Sequence, residues 1–194
     1  YLSYLLFQIE ANKNWTDKPV IPFVWLRYSF NESLNNKAIR PWMAEATAIF
    51  PFFSGADGLW LWDNPEMFKT ETDYSVYEYF NKGLYRLSAF KSFFEGDHTL
   101  IMETSARDYN ENKQAIWRGV IKDEEILIAA HNPFAKDKNE EVNIGVSYGN
   151  WSQVINLKGY EVFICKFDMS VLGSEKNEAF VVYPNPASER ITIR

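Results

Sequence analysis

The hydrophobic period of this 194-residue chain changes near residue 98, and that change limits the architectures open to it. Upstream, apolar residues recur at helical spacing between short apolar runs; downstream, short runs alternate every second residue. A helix buries a stripe with a period near 3.6 and a strand buries one face with a period of two, so the switch separates two kinds of packing.

In the upstream part, Tyr1, Leu2, Leu5, Leu6 and Ile9 predict a helix over residues 1 to about 15. Trp15-Thr-Asp-Lys-Pro19 breaks it, because proline lacks an N–H and restricts the residue before it. Residues 20–30, VIPFVWLRYSF, form a nearly continuous apolar and aromatic run, which suits a strand buried on both faces. A polar loop then leads to Pro41, well suited to a first helical turn, and a helix runs toward Gly55 with Pro51 expected to kink it or end it early. Gly58 to Trp62 reads as a second short strand, stopped by Asp63-Asn64-Pro65. A long helical pattern from about Tyr74 to Phe94 closes near Gly96.

The order helix, strand, helix, strand, helix predicts a parallel sheet with crossover helices. Two strands cannot form such a sheet with both faces covered, so its remaining strands are expected before Tyr1. In keeping with that expectation, Tyr1 opens directly into an amphipathic pattern, with neither an initiator Met nor the basic n-region and cleavage site of a signal peptide. Downstream, the runs His98–Glu103, Ala115–Ile121, Glu125–His131, Glu141–Tyr148, Gln153–Leu157 and Glu161–Phe167 are separated by Gly, Asn, Asp and Pro clusters. Six short strands at this spacing predict an antiparallel sandwich. The expected division is therefore an α/β part over 1–97, an all-β sandwich over 98–169, a polar linker over 170–179, and a closing segment over 180–194.

Charge and cysteine content exclude several functions. With 20 basic and 26 acidic residues the net charge is −6, and no basic run exceeds isolated pairs, so nucleic acid is not expected as a partner. No apolar run reaches the roughly 18 residues of a transmembrane helix. The single cysteine, Cys165, sits in an apolar run and excludes an internal disulfide or a Cys-based metal site. His98 and His131 are the only histidines and lie more than thirty residues apart, which argues against a metal site or a Ser-His-Asp triad. Asp137 and Asn139 lack the Gly and Glu spacing of a calcium loop and read as a hairpin tip. No metal and no cofactor are expected.

The segments KPVIPFVWLRYSF and PWMAEATAIFPFFSGADGLWLWD, followed by a long helix and a small β-domain, resemble the last quarter of the (β/α)8 barrel of many glycoside hydrolases with its C-terminal β-sandwich. The resemblance makes residues 20–30 the seventh barrel strand and Gly55–Asp63 the eighth. Active sites of such barrels lie at the C-terminal strand ends, which implies that Arg27, Tyr28, Trp62 and Asp63 stand at a substrate-binding rim. A carbohydrate substrate would need an aromatic platform and paired hydrogen-bonding groups, and this set supplies both.

Each of these residues also has a structural reading. Trp62 is sugar-facing or core; Trp60 shares its face one layer deeper, where packing in the core competes with substrate contact. Asp63 is a substrate ligand or an Asx-turn residue before Asn64-Pro65. Arg27 and Tyr28 point to opposite sides of the run, so at most one faces the lumen. Hydrolysis needs two carboxylates about 5–10 Å apart; Asp63 and Glu32 are the weak candidates here. The run ends Leu26-Arg27-Tyr28-Ser29-Phe30 without the nucleophilic Glu of the largest clan, so the acids lie on earlier strands or the protein is not catalytic. Glu45 is expected to face solvent or pair with a neighbour. Trp117, Tyr148 and Trp151 form a carbohydrate-binding face or are buried against the helical part.

Val182-Tyr183-Pro184-Asn185-Pro186 followed by ASERITI resembles the start of the type A C-terminal sorting domain of the type IX secretion system of Bacteroidetes. Residues alone give a proline-fixed turn and a strand; the resemblance makes Tyr183, Pro184, Asn185 and Pro186 an export address read by the type IX machinery, cut short after its first strand. The sequence thus leads to the expectation of a fragment of a secreted or cell-surface glycoside hydrolase-like protein acting on extracellular glycans. The alternative is a non-catalytic glycan-binding or adhesion protein.

Overall fold

A computed structural model describes residues 1–26, 40–62 and 71–170, apart from the side chains of residues 71–73. In chain order the elements are α1 (Leu2–Trp15), β1 (Phe23–Val24), α2 (Pro41–Phe53), β2 (Trp60–Leu61), α3 (Glu71–Ser88), a 3₁₀ turn (Lys91–Phe94), β3 (Thr99–Ile101), α4 (Ala106–Asn112), β4 (Ile116–Lys122), β5 (Glu125–His131), β6 (Glu141–Tyr148), β7 (Trp151–Lys158) and β8 (Val162–Asp168).

The helices follow the apolar spacing. α1 buries Leu2, Leu5, Leu6 and Ile9. α2 is apolar almost all round and buries nine residues from Ala44 to Phe53, the pattern of a central helix. Pro51, expected to kink or end it early, lies inside its last turn, and the helix continues to Phe53. Burial of Ile49, Phe50 and Phe53 outweighs the one backbone hydrogen bond that proline forgoes. α3 packs along α2 at a point where Gly83 leaves no room for a side chain: a Cβ there would sit 2.8 Å from both Ala48 Cβ and the Glu45 carbonyl oxygen.

The strands form three sheets: the parallel pair β1–β2, a four-stranded antiparallel sheet in the order β3-β4-β5-β8, and the hairpin β6–β7. β5 pairs with β4 and β8 along its whole length, and α2 packs against all three of these strands. On the other face, Trp151 of β7 touches Phe167 of β8, with ring centroids 5.6 Å apart. One cluster of buried apolar residues runs from Leu2 to Phe167 through helices and sheet alike.

Two expectations are corrected. The fold is not the end of a (β/α)8 barrel followed by a sandwich: among the described residues no barrel closes, the parallel component is two strands of two residues each, and the rest is helical or antiparallel. Nor is the run from residue 20 a strand buried on both faces. Pro22 cannot donate to a ladder, pairing among the described residues is limited to Phe23 and Val24, and Phe23 is exposed. The six expected downstream strands all form, but as four plus two. An unexpected helix, α4, is inserted before β4, its first turn capped by the Ser105 hydroxyl accepting the Asp108 N–H at 3.1 Å.

Candidate functional site

β1 and β2 lie in register, Phe23 beside Trp60 and Val24 beside Leu61. The Trp60 N–H donates to the Pro22 carbonyl at 3.0 Å, and the Trp62 N–H to the Val24 carbonyl at 2.9 Å. Strand alternation then sorts the side chains. Val24 and Leu26 turn into the core, while Phe23, Trp25, Trp60 and Trp62 share the opposite face.

These four rings form one continuous surface. The Phe23 centroid lies 5.3 Å from that of Trp60 and 6.0 Å from that of Trp62, and Trp25 and Trp62 lie 6.1 Å apart. Phe23, Trp60 and Trp62 nevertheless remain 58%, 61% and 51% exposed. Contiguous aromatic surface left in water marks a binding face more often than a packing accident. Beside it, between α1 and β1, runs a groove of about 540 Å³ that Phe23 and Trp25 share with Tyr4, Gln8 and Asn12. Tyr1 borders this groove, and its hydroxyl accepts the Trp25 N–H at 2.6 Å. Burial pushes the Tyr1 phenol above its ordinary pKa, and the Trp25 N–H offsets part of that rise.

The structure therefore brings together Trp60 and Trp62 but corrects their depth. Trp60 is not a layer beneath Trp62; it is the more exposed of the two, because no described element covers this face. Phe23 and Trp25 belong to the same surface and were missed, although the alternation Ile21-x-Phe23-x-Trp25 carries the signal. Arg27, Tyr28, Glu32 and Asp63 lie outside the described residues, as do Tyr183, Pro184, Asn185 and Pro186.

The remaining candidates are structural. Glu45 is buried on α2 and pairs with Lys82 at 3.1 Å and with Arg86. Arg118 on β4 is fully buried and donates from Nη2 to Glu10 Oε1 at 2.9 Å and from Nη1 to the Trp117 carbonyl at 3.0 Å. Its guanidinium lies over the Tyr109 ring at 5.2 Å, and Ser54 also donates to Glu10, at 2.9 Å. These ion pairs tie α2 to α3 and α1 to the sheet, and the Ser54 hydroxyl joins the end of α2 to Glu10. Trp117 and Trp151 are buried and Tyr148 is exposed, so the three do not form one face.

His131 is fully buried at the end of β5. Its Nδ1 lies 2.6 Å from the Glu161 carbonyl and its Nε2 has no hydrogen-bond partner among the described residues. Burial lowers its pKa to about 4, against smaller upward effects of that carbonyl and of Glu45. Asp137 accepts the Asn139 N–H at 2.8 Å. That turn joins β5 to β6, which belong to different sheets, and so is not a hairpin tip.

No helix among the described residues is long and apolar enough to cross a membrane. No protein-family model, no curated protein and no solved structure matches this chain.

Proposed function

We propose that the protein works on extracellular glycans, and that the aromatic face of β1 and β2 is where a sugar chain is held. The observation that carries this reading is the contiguity of Phe23, Trp60 and Trp62 on a face at least half open to water. A pyranose offers an apolar C–H face and a rim of hydroxyls. Exposed indole and phenyl rings accept the first, while the Gln8 and Asn12 amides in the adjoining groove suit the second. Delivery to the cell surface or medium by the type IX machinery belongs to the same proposal and rests on the Tyr183–Pro186 motif.

Whether the glycan is cut or only held turns on carboxylates, of which Asp63, next in sequence to Trp62, and Glu32 are this chain's candidates. A second reading, that the face packs against another polypeptide, is favoured by the exposed Tyr4, Phe7 and Ile21 nearby. Binding of the intact chain to immobilised oligosaccharides separates the two. Trp60→Ala and Trp62→Ala should each weaken retention about fivefold, the worth of one aromatic contact. Retention that is absent, or unchanged in both variants, would leave the packing reading in its place.

A further inference from the structure

A second cleft, of about 440 Å³, opens at the other end of β2, where the end of α1, the turn after α2, the 3₁₀ turn and the start of β3 converge. Its polar lining is Lys13, Asp57, Asp97 and His98, and Phe52 and Phe94 supply part of its apolar wall. The volume falls in the range of small-molecule sites, as does the mixture of apolar wall and a few polar groups.

The polar groups divide into a fixed pair and an available pair. Asp57 accepts the Val20 N–H at 2.8 Å and the Lys13 ammonium at 3.2 Å. Burial alone would raise the Asp57 carboxyl, but the Val20 N–H, Lys13 and the charge of His98 together hold it below its ordinary pKa. Lys13 thus answers Asp57 and keeps further protons to donate. The His98 ring lies edge-on to Phe94, with centroids 6.4 Å apart, and its Nδ1 is 2.8 Å from the Gly96 carbonyl. A carbonyl can only accept, so Nδ1 donates to it, and Nε2 makes no hydrogen bond with any described residue. The Asp97 carboxylate beside it makes no hydrogen bond or ion pair with any described residue.

We propose that this cleft binds a single sugar ring, with Asp97 accepting from one of its hydroxyls, Lys13 donating to another, His98 Nε2 hydrogen-bonding to a third, and the Phe52 and Phe94 rings meeting its C–H face. Other ligand classes fit less well. An anion would meet Asp57 and Asp97, an amine would use Asp97 alone, and no group of three or more His, Cys, Asp or Glu among the described residues could hold a metal ion. The inference rests on the glycan reading above but concerns a separate site, so the two can fail separately.

The test is an NMR titration of the intact chain with D-glucose, D-galactose, D-mannose and N-acetyl-D-glucosamine, following the imidazole signals. With only two histidines, one of them fully buried, the His98 signal is simple to assign through His98→Gln. At least one sugar should shift it saturably, Asp97→Ala should weaken that binding about tenfold by removing a charged acceptor, and Trp62→Ala should leave it unchanged. No His98 response to any sugar, a response indifferent to Asp97→Ala, or a response abolished by Trp62→Ala would each overturn the proposal. A normal His98 response without oligosaccharide retention would instead overturn the aromatic-face reading and leave this one standing.

Discussion

β5 and β1 both arise from apolar runs, EILIAAH and VIPFVW, and meet opposite fates. β5 is buried from Ile126 to His131, with β4 and β8 on its two edges and α2 on one face. Among the described residues β1 has one partner, a ladder of two residues, and an aromatic face that stays exposed. What separates them is the neighbours each acquires, not hydrophobicity. An apolar run states how much surface a strand could bury; the elements that arrive on its edges and faces decide how much it does.

If that contrast is correct, damage should be large around β5 and small around β1. The largest effect is expected from Arg118→Ala on β4. It empties the space of a fully buried side chain and leaves the Glu10 carboxylate, itself mostly buried, without its cation. Breaking such a pair from one side costs about 3–5 kcal/mol, measurable as a lower urea midpoint with an unchanged slope. A loss below about 1 kcal/mol would mean that the pair behaves like a surface one and that this region is not the rigid half of the molecule.

Next comes acid. His131 has a folded pKa near 4 against 6.5 unfolded, so the unfolded chain takes up the proton first. Its contribution is complete above pH 6.5 and is lost as pH falls from there toward 4, by about 3 kcal/mol in all. Thermal unfolding followed between pH 7 and pH 4 should show this slope in the parent chain. His131→Gln, which has no group titrating there, should flatten it, whereas parallel slopes would refute the assignment. Gly83→Ala ranks third. Its new Cβ would stand 2.8 Å from the Glu45 carbonyl oxygen, forcing α3 off α2 at a cost of about 1–3 kcal/mol by overpacking. An unchanged or raised midpoint would show that the two helices can part freely.

The contrast also marks what a linear reading can recover. The runs at residues 125–131 and 141–148 matched β5 and β6 residue for residue, because both pair along their whole length in long ladders. Ser105-x-x-Asp108 carried a capping signal for α4, but a seven-residue helix lacks the length to show a period. Arg118 could not be placed at all. A lone arginine between Trp117 and Gly119 reads as a solvent-facing strand residue until α1 supplies Glu10, 108 positions away in sequence. The barrel failed for a related reason. A helix–strand alternation points to parallel pairing of two strands, as the register of Phe23 and Trp60 shows, but not to how many strands join them. On the candidate site, Trp60 and Trp62 were legible from their shared period, whereas exposure depends on what else covers the face.

The smallest stability change belongs to that face, and it sharpens the comparison most. Trp60→Ala removes a side chain that is 61% exposed and whose ring contact is with Phe23, also mostly exposed. Little apolar surface returns to water, so the unfolding midpoint should move by no more than about 0.5 kcal/mol, less than any substitution around β5. Oligosaccharide retention should nevertheless fall about fivefold. A residue that matters for binding and hardly at all for folding is held in place by the backbone ladder rather than by its own packing. If Trp60→Ala instead destabilised the chain by about 2 kcal/mol or more, as for a buried side chain, the face would be covered in solution, and β1 would differ from β5 in degree only.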